Sequence, residues 1–229
     1  MDLNNDKYKE GFFTGDFILS ATEANWDEID SATSNWNPNL NYVAGNHDVG
    51  DRSLFRDRHA ETNRFFIKEN DLYVILDLNS TGWNITDIQW SMIDSAILKN
   101  QKDFRNVFIM THQLFFINKG PAFAGIEPNS FDGKAPKLDF FEKYLARINE
   151  VNSNFFFFCG DVGAHSGNCY PGGYKHKNLK IIFSGIGSSK ADHFISAKIL
   201  PDSVQLQINY LTPERVEVIS ENFYIDLKP

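Results

Sequence analysis

Leu40-Asn41-Tyr42-Val43-Ala44-Gly45-Asn46-His47-Asp48-Val49-Gly50 decides how this chain is read. Leu40 to Ala44 is a largely apolar run of strand length, and it stops at a glycine. An amide, an imidazole and a carboxylate then follow in direct succession. A turn needs a glycine or an asparagine, but it has no need of three consecutive side chains with ligand atoms. Oxygen and imidazole donors suit Zn, Mn or Fe, so the segment reads as a strand that delivers metal-capable residues at its end.

Working outward, the same arrangement recurs. Gly11 to Thr14 reads as a strand ending at Gly15-Asp16, Asn106 to Met110 as one ending at Thr111-His112, and Phe155 to Cys159 as one closed by Gly160-Asp161. In open α/β sheets ligands gather at the carboxyl ends of strands, so Asp16, Asn46, His47, His112 and Asp161 can converge although they are far apart in the chain. Taken singly, each Gly-Asp pair reads equally well as a turn with a helix cap, and a lone His112 as a hydrogen-bonded structural residue.

The intervening stretches supply helices and further strands. Thr22 to Trp36 reads as a helix with an acidic face, stopped by Asn37-Pro38. Thr86 and Gln89 form the two ends of a capping box ahead of Ile88, Met92, Ile93, Ala96 and Ile97 at helical spacing. Leu138 to Val151 is a second amphipathic helix. Arg64 to Lys68 and Leu72 to Leu78 read as two strands joined by a polar turn. Leu179 to Phe183, His193 to Leu200, Ser203 to Leu211 and Asn222 to Leu227 are the later strands, with antiparallel hairpins expected among the last three. Helices alternate with strands early and strands dominate late, which is a layered α/β pattern with a mixed sheet or two sheets face to face.

Length and composition bound the rest. The 229 residues suffice for one domain with a buried core, and no linker or repeat divides residues 1–229. The 21 phenylalanines predict an aromatic core, in which Phe155 to Phe158 is a core strand rather than a stacking platform. A formal charge of -8 argues against broad nucleic-acid binding. It leaves a phosphate substrate open, because a bound metal supplies positive field locally. Cys159 and Cys169 are too few for a disulfide framework and read as free thiols in a reducing compartment, with a single bridge between them as the alternative. No run approaches the roughly eighteen apolar residues of a transmembrane segment, and the polar start is no signal peptide, so a cytoplasmic location is the default expectation. His59 lies in the charged run Asp57 to Glu61 and is expected at the surface.

With Gly15-Asp16, Gly45-Asn46-His47-Asp48, the lone His112 and Gly160-Asp161 in place, the chain resembles the calcineurin-like metallophosphoesterase family from Gly11 to about Gly187. The resemblance implies two packed mixed β-sheets flanked by helices, a four-layer α/β/β/α sandwich. It implies hydrolysis of a phosphomonoester or phosphodiester by metal-activated hydroxide, with divalent Mn, Zn, Fe or Mg as cofactor. Carried over by position, Asp16 bridges two metals, Asn46 and His112 ligate the second, His47 contacts the phosphate and assists the leaving group, and Asp48 orients His47. Imidazole suits the donor role because it exchanges a proton near neutral pH.

Two departures qualify that expectation. The family's opening Asp-x-His is absent, so the chain is expected to start one element late, and a signal peptide could be lost with it. Where Gly-His-x-His is expected, Gly160-Asp161-Val162-Gly163 stands instead. Asp161 takes the first histidine's place as a metal ligand, and His165 is the nearest substitute for the second. The ligand count then favours one metal, or a weakly held second. The alternative expectation is a catalytically impaired relative that acts as a binding or scaffolding protein. The insert from Asn118 to Lys137 is the candidate specificity loop.

Overall fold

The fold was described from a computed structural model, which places residues 8–36, 39–50, 52–99, 104–116, 128–129, 139–163, 171–186, 192–211 and 214–226. The elements in chain order are β1 (Glu10–Phe13), α1 (Glu23–Thr33), β2 (Asn39–Tyr42), α2 (Arg52–His59), β3 (Arg64–Lys68), β4 (Asp71–Leu76), α3 (Asp87–Lys99) and β5 (Asn106–Thr111). Then come α4 (Asp139–Glu150), β6 (Asn154–Cys159), β7 (Gly172–His176), β8 (Leu179–Phe183), β9 (His193–Ile199), β10 (Val204–Leu211), β11 (Glu214–Val218) and β12 (Tyr224–Asp226).

A seven-stranded mixed sheet in the order β12-β7-β8-β6-β5-β4-β3 forms the centre. Its middle strands β4, β5, β6 and β8 run parallel, so their carboxyl ends share one edge. Each of these strands is apolar on both faces, as a sheet covered on both sides requires. Leu72, Val74, Val107, Ile109, Phe155, Phe157 and Ile181 point one way, into a core with Trp90 and Ile93 of α3 and Tyr144 and Ile148 of α4. Tyr73, Ile75, Phe108, Met110, Phe156 and Ile182 point the other way, against Phe12, Val43, Ile195 and Leu206.

The last four residues belong to a second β layer made of two small sheets. One is the parallel pair β1-β2 and the other the antiparallel β11-β10-β9. Side-chain alternation sends Phe12 and Val43 to the central sheet and Phe13, Tyr42 and Ala44 to the opposite face, where they pack with Trp26 of α1 and Phe55 of α2. The order is therefore α, β, β, α, as the sequence predicts, with the second β layer divided in two.

Local chemistry accounts for the helix boundaries. Thr22 Oγ1 accepts from the Asn25 amide at the start of α1. At α3 the capping box is complete: Gln89 N–H donates to Thr86 Oγ1 at 3.2 Å, and Thr86 N–H donates to Gln89 Oε1 at 3.0 Å. The acidic face of α1 is used as well. Arg58 of α2 pairs with Glu23, with Asp27 at 2.8 Å and with Asp30 at 2.9 Å.

Several expectations are corrected. The segment Arg52–His59 is a helix, and its His59 is half-buried with its ring turned inward. Its ring stacks on Tyr42 with centroids 4.0 Å apart and lies 4.6 Å from that of Trp26. The charged residues around it fall on the outer face of a short helix whose inner face closes the α1–β2 core. β12 does not form a terminal hairpin but joins the central sheet parallel to β7, and among the described strands after β8 the antiparallel neighbours are β9, β10 and β11. β7 and β11 are strands that the periodicity left unmarked. Cys159 is a buried free thiol, and Cys169 lies outside the described residues. Among the described residues no helix is long and apolar enough to cross a membrane.

His59 makes stability depend on pH. Burial of the ring, helped by the nearby charges of Arg58 and Arg64 and opposed by Asp30, lowers it from 6.5 to about 4. The unfolded chain then binds the proton more readily than the folded one. The contribution is intact above about pH 6.5 and is lost as pH falls toward the folded value. His59→Phe keeps a ring without a titrating group. The melting temperature of the parent should therefore drop relative to that of His59→Phe between pH 7 and pH 5, and a constant offset would show that His59 does not titrate.

Candidate metal centre

Three strands from two layers end at one place. A ligand atom from each of Asp16, His112 and Asp161 lies within 4.8 Å of the others. Asp16 follows β1, His112 follows β5 and Asp161 follows β6. His112 is the hub. Its Nδ1 lies 2.7 Å from the Thr14 carbonyl oxygen, to which it donates. Its own carbonyl accepts the amides of Gly160 at 2.9 Å and Asp161 at 3.0 Å. With Nδ1 committed, Nε2 is the nitrogen that faces the carboxylates, at 3.1 Å from Asp16 Oδ2 and 3.6 Å from Asp161 Oδ1. Nε2 is buried and has no hydrogen bond of good geometry.

Two glycines make the approach possible. Gly15 has φ 92, and a Cβ there would lie 2.6 Å from His112 Nδ1. At Gly45 a Cβ would sit 2.1 Å from Asp16 Oδ1, so only glycine lets that carboxylate rest against the loop after β2. Asp16 itself is held at φ 55, a left-handed conformation that an aspartate tolerates better than most residues.

The electrostatics follow from burial and proximity. Burial opposes a charge on the His112 ring, but Asp16 and Asp161 outweigh it and push the group up to about 9. Burial also works to raise the Asp16 carboxyl, yet the close His112 ring and the His47 amide hold it below its ordinary value. Two carboxylates around one imidazole nitrogen demand positive charge between them. A proton meets that demand, and so does a divalent cation. The donor set of two carboxylates and a neutral imidazole Nε2 fits such an ion.

Asn46 and His47 sit at the exposed tip of the loop after β2. The His47 amide donates to Asp16 Oδ1 at 3.0 Å, which fixes the loop beside the cluster. Its ring Nδ1 lies 2.9 Å from the Leu19 carbonyl oxygen. Asp48 has a different role from that implied by the resemblance. Its carboxylate is fully buried, and Oδ2 accepts the amides of Asp16 at 2.7 Å and Gly45 at 2.8 Å. Burial pushes the group up to about 6 against those two amides. Asp48 thus staples the loops after β1 and β2 together, and the acceptor of the His47 ring is the Leu19 carbonyl. His165 lies outside the described residues, as does most of the Asn118–Lys137 insert.

Sequence reasoning missed a supporting network. Gln113 Nε2 donates to Asn79 Oδ1 at 2.6 Å, and Asn79 Nδ2 donates to the Ala44 carbonyl at 3.0 Å and to Asp77 Oδ1 at 2.7 Å. This chain of bonds ties the end of β5 to the end of β2. The adjacency of Gln113 to His112 and the polar Asp77 and Asn79 at the end of β4 were its signals.

No model of a protein family matches the sequence, and no curated protein does. Among solved structures the chain is similar to Vacuolar Protein Sorting 29 from Cryptosporidium parvum, with a TM-score of 0.45 and 9% identity, over 95% of this chain and 82% of that one.

The close contact at Gly45 can be tested directly. Gly45→Ala should push Asp16 aside, lower the free energy of unfolding by about 1–3 kcal/mol in a denaturant titration, and weaken Mn or Zn binding measured by calorimetry. Unaltered stability and metal affinity would show that the loop yields without cost.

Proposed function

We propose that this protein is a metal-dependent hydrolase of phosphate esters that works with one divalent ion. The observation that carries the reading is the buried Asp16–His112–Asp161 cluster lying directly beneath the exposed His47 loop. Asp16, His112 Nε2 and Asp161 are the ligands, with the Asn46 side chain as the fourth donor, and Mn, Zn, Fe or Mg as the ion. When bound, the ion supplies Lewis-acid stabilisation of charge on a phosphoryl group and makes water a better nucleophile.

The chain's own residues do the remainder. His47 Nδ1 donates to the Leu19 carbonyl, so Nε2 is the nitrogen presented to solvent, where it passes a proton to the departing alkoxide. Asp16 fixes the His47 backbone while serving the cluster, so the ligand and the proton donor move as one unit. Asp48 keeps the β1 and β2 loops in register.

A second reading, a non-catalytic binding protein, is supported by one feature: protonated His112 already offsets one of the two carboxylate charges without any ion. Metal analysis and turnover separate the two. The purified chain should hold one ion, and with Mn or Zn it should hydrolyse a chromogenic phosphomonoester or phosphodiester. His112→Ala should lose the metal and the activity together. His47→Ala should keep the metal and lose about 100-fold in kcat. Two tightly held ions would overturn the one-metal reading, equal turnover in His47→Ala would overturn the role of His47, and a chain that takes up no metal would favour the binding protein.

A further inference from the structure

The smaller antiparallel sheet ends in a strand whose sequence is complementary to itself. Among the described strands β11 has one neighbour, β10, so its other side is a sheet edge. All five of its residues are exposed. The register with β10 sorts them by face. Tyr210 opposes Arg215 and Ile208 opposes Glu217, while Leu211 opposes Glu214 and Asn209 opposes Val216. Leu211, Val216 and Val218 therefore share the outer face, where they are 38%, 57% and 70% exposed. On the inner face Arg215 lies over the Tyr210 ring at 3.9 Å, the Tyr210 hydroxyl donates to Glu217 at 3.4 Å, and Arg215 Nε lies 3.2 Å from Glu217 Oε1. The tyrosine thus holds one cation and one anion, two residues apart, beside the edge.

We propose that β11 pairs antiparallel with β11 of a second copy of this chain, about a two-fold axis at Val216. An edge strand presents backbone donors and acceptors that another strand can use, and the side chains decide which strand fits. In the arrangement centred on Val216, Arg215 stands opposite Glu217 of the second copy, and Glu217 stands opposite Arg215 of the second copy. Symmetry therefore gives two opposite-charge pairs and sets no like charges directly against each other. On the outer face Val216 meets its own counterpart at the axis, with Val218 diagonal to it, so apolar surface leaves water there. The edge strand β3 of the central sheet is the contrast. The same operation centred on Phe66 sets Arg64 against Lys68 and repels. Five residues a side is far below the roughly 20–30 of a standard interface, so the dimer is weak and forms at high protein concentration. The pairing does not depend on the metal centre.

Sedimentation equilibrium of the full chain, from about 10 µM to about 1 mM protein in about 0.15 M salt, tests the pairing. The parent should pass from monomer toward dimer across that range. Arg215→Glu sets a carboxylate against Glu217 twice in each dimer, and Glu217→Arg sets a guanidinium against Arg215 twice. Both positions are about half exposed, so the reversals leave the core untouched, as circular dichroism of each variant should confirm. Each variant alone should dimerise at least about tenfold more weakly than the parent. An equimolar mixture of the two restores both opposite-charge pairs and should recover the parent's affinity as a heterodimer. A dimer through any other surface does not show that recovery. A parent that stays monomeric throughout, a dimer that either reversal leaves at full strength, or a mixture of folded variants no tighter than each alone would overturn the proposal.

Discussion

The hydrogen bond from His112 Nδ1 to the Thr14 carbonyl, 2.7 Å long and spanning 98 residues of sequence, holds the two β layers together at the edge where their strands end. Everything about the candidate site depends on it. It selects which imidazole nitrogen faces the carboxylates, it brings the end of β1 over the end of β5, and through the His112 carbonyl it sets the start of the loop that carries Asp161. Gly15 is the condition for that bond, since any side chain there would occupy the space of the ring. In the neighbouring loop Asp48 acts in the same way, with a single carboxylate oxygen accepting the amides of Asp16 and Gly45. Two buried side chains therefore position three loops, and the exposed Asn46 and His47 are carried at the tip of the assembly.

The layered fold was legible because its signals are local and repeated. Thr86 and Gln89 announce α3 through a capping box that the structure contains, and the apolar runs at Leu72, Asn106 and Phe155 are long and unbroken because both faces of the central sheet are covered. The convergence of Asp16, His112 and Asp161 was legible for a related reason. The parallel neighbours β5 and β6 put their carboxyl ends on one edge, so His112 and Asp161 become neighbours without any contact being specified in advance, and β1 brings Asp16 to the same edge from the second β layer.

What escaped the sequence was decided by tertiary contacts. His59 reads as a surface residue because the run Asp57 to Glu61 around it is charged, and the apolar Leu54 and Phe55 that face inward lie ahead of it. The helical state of α2 depends on Phe55 and His59 fitting an aromatic box made by Trp26 and Tyr42, residues that lie well upstream in the chain. β12 looked like half of a hairpin because it follows strands of that kind, but its partner is β7, about fifty residues earlier. Asp48 is the instructive case at the site. A carboxylate beside a histidine suggests a pair, yet the adjacent backbone amides of two loops offer it better-placed donors, and burial commits it to them.

The divided origin of the ligands has a kinetic meaning. Asp16 comes from the outer β layer, and His112 and Asp161 come from the central sheet, so no partially folded form of this chain holds the complete set until those layers have docked. Contacts between segments so distant in sequence are costly to form early, and they belong to the late stages of folding. An ion gripped by them would act on the finished molecule and not on the route to it. It would slow the escape from the native state while leaving the rate of arrival nearly unchanged. With an ion bound, the site would be a latch on persistence, and the lifetime of the folded chain would follow the supply of metal around it.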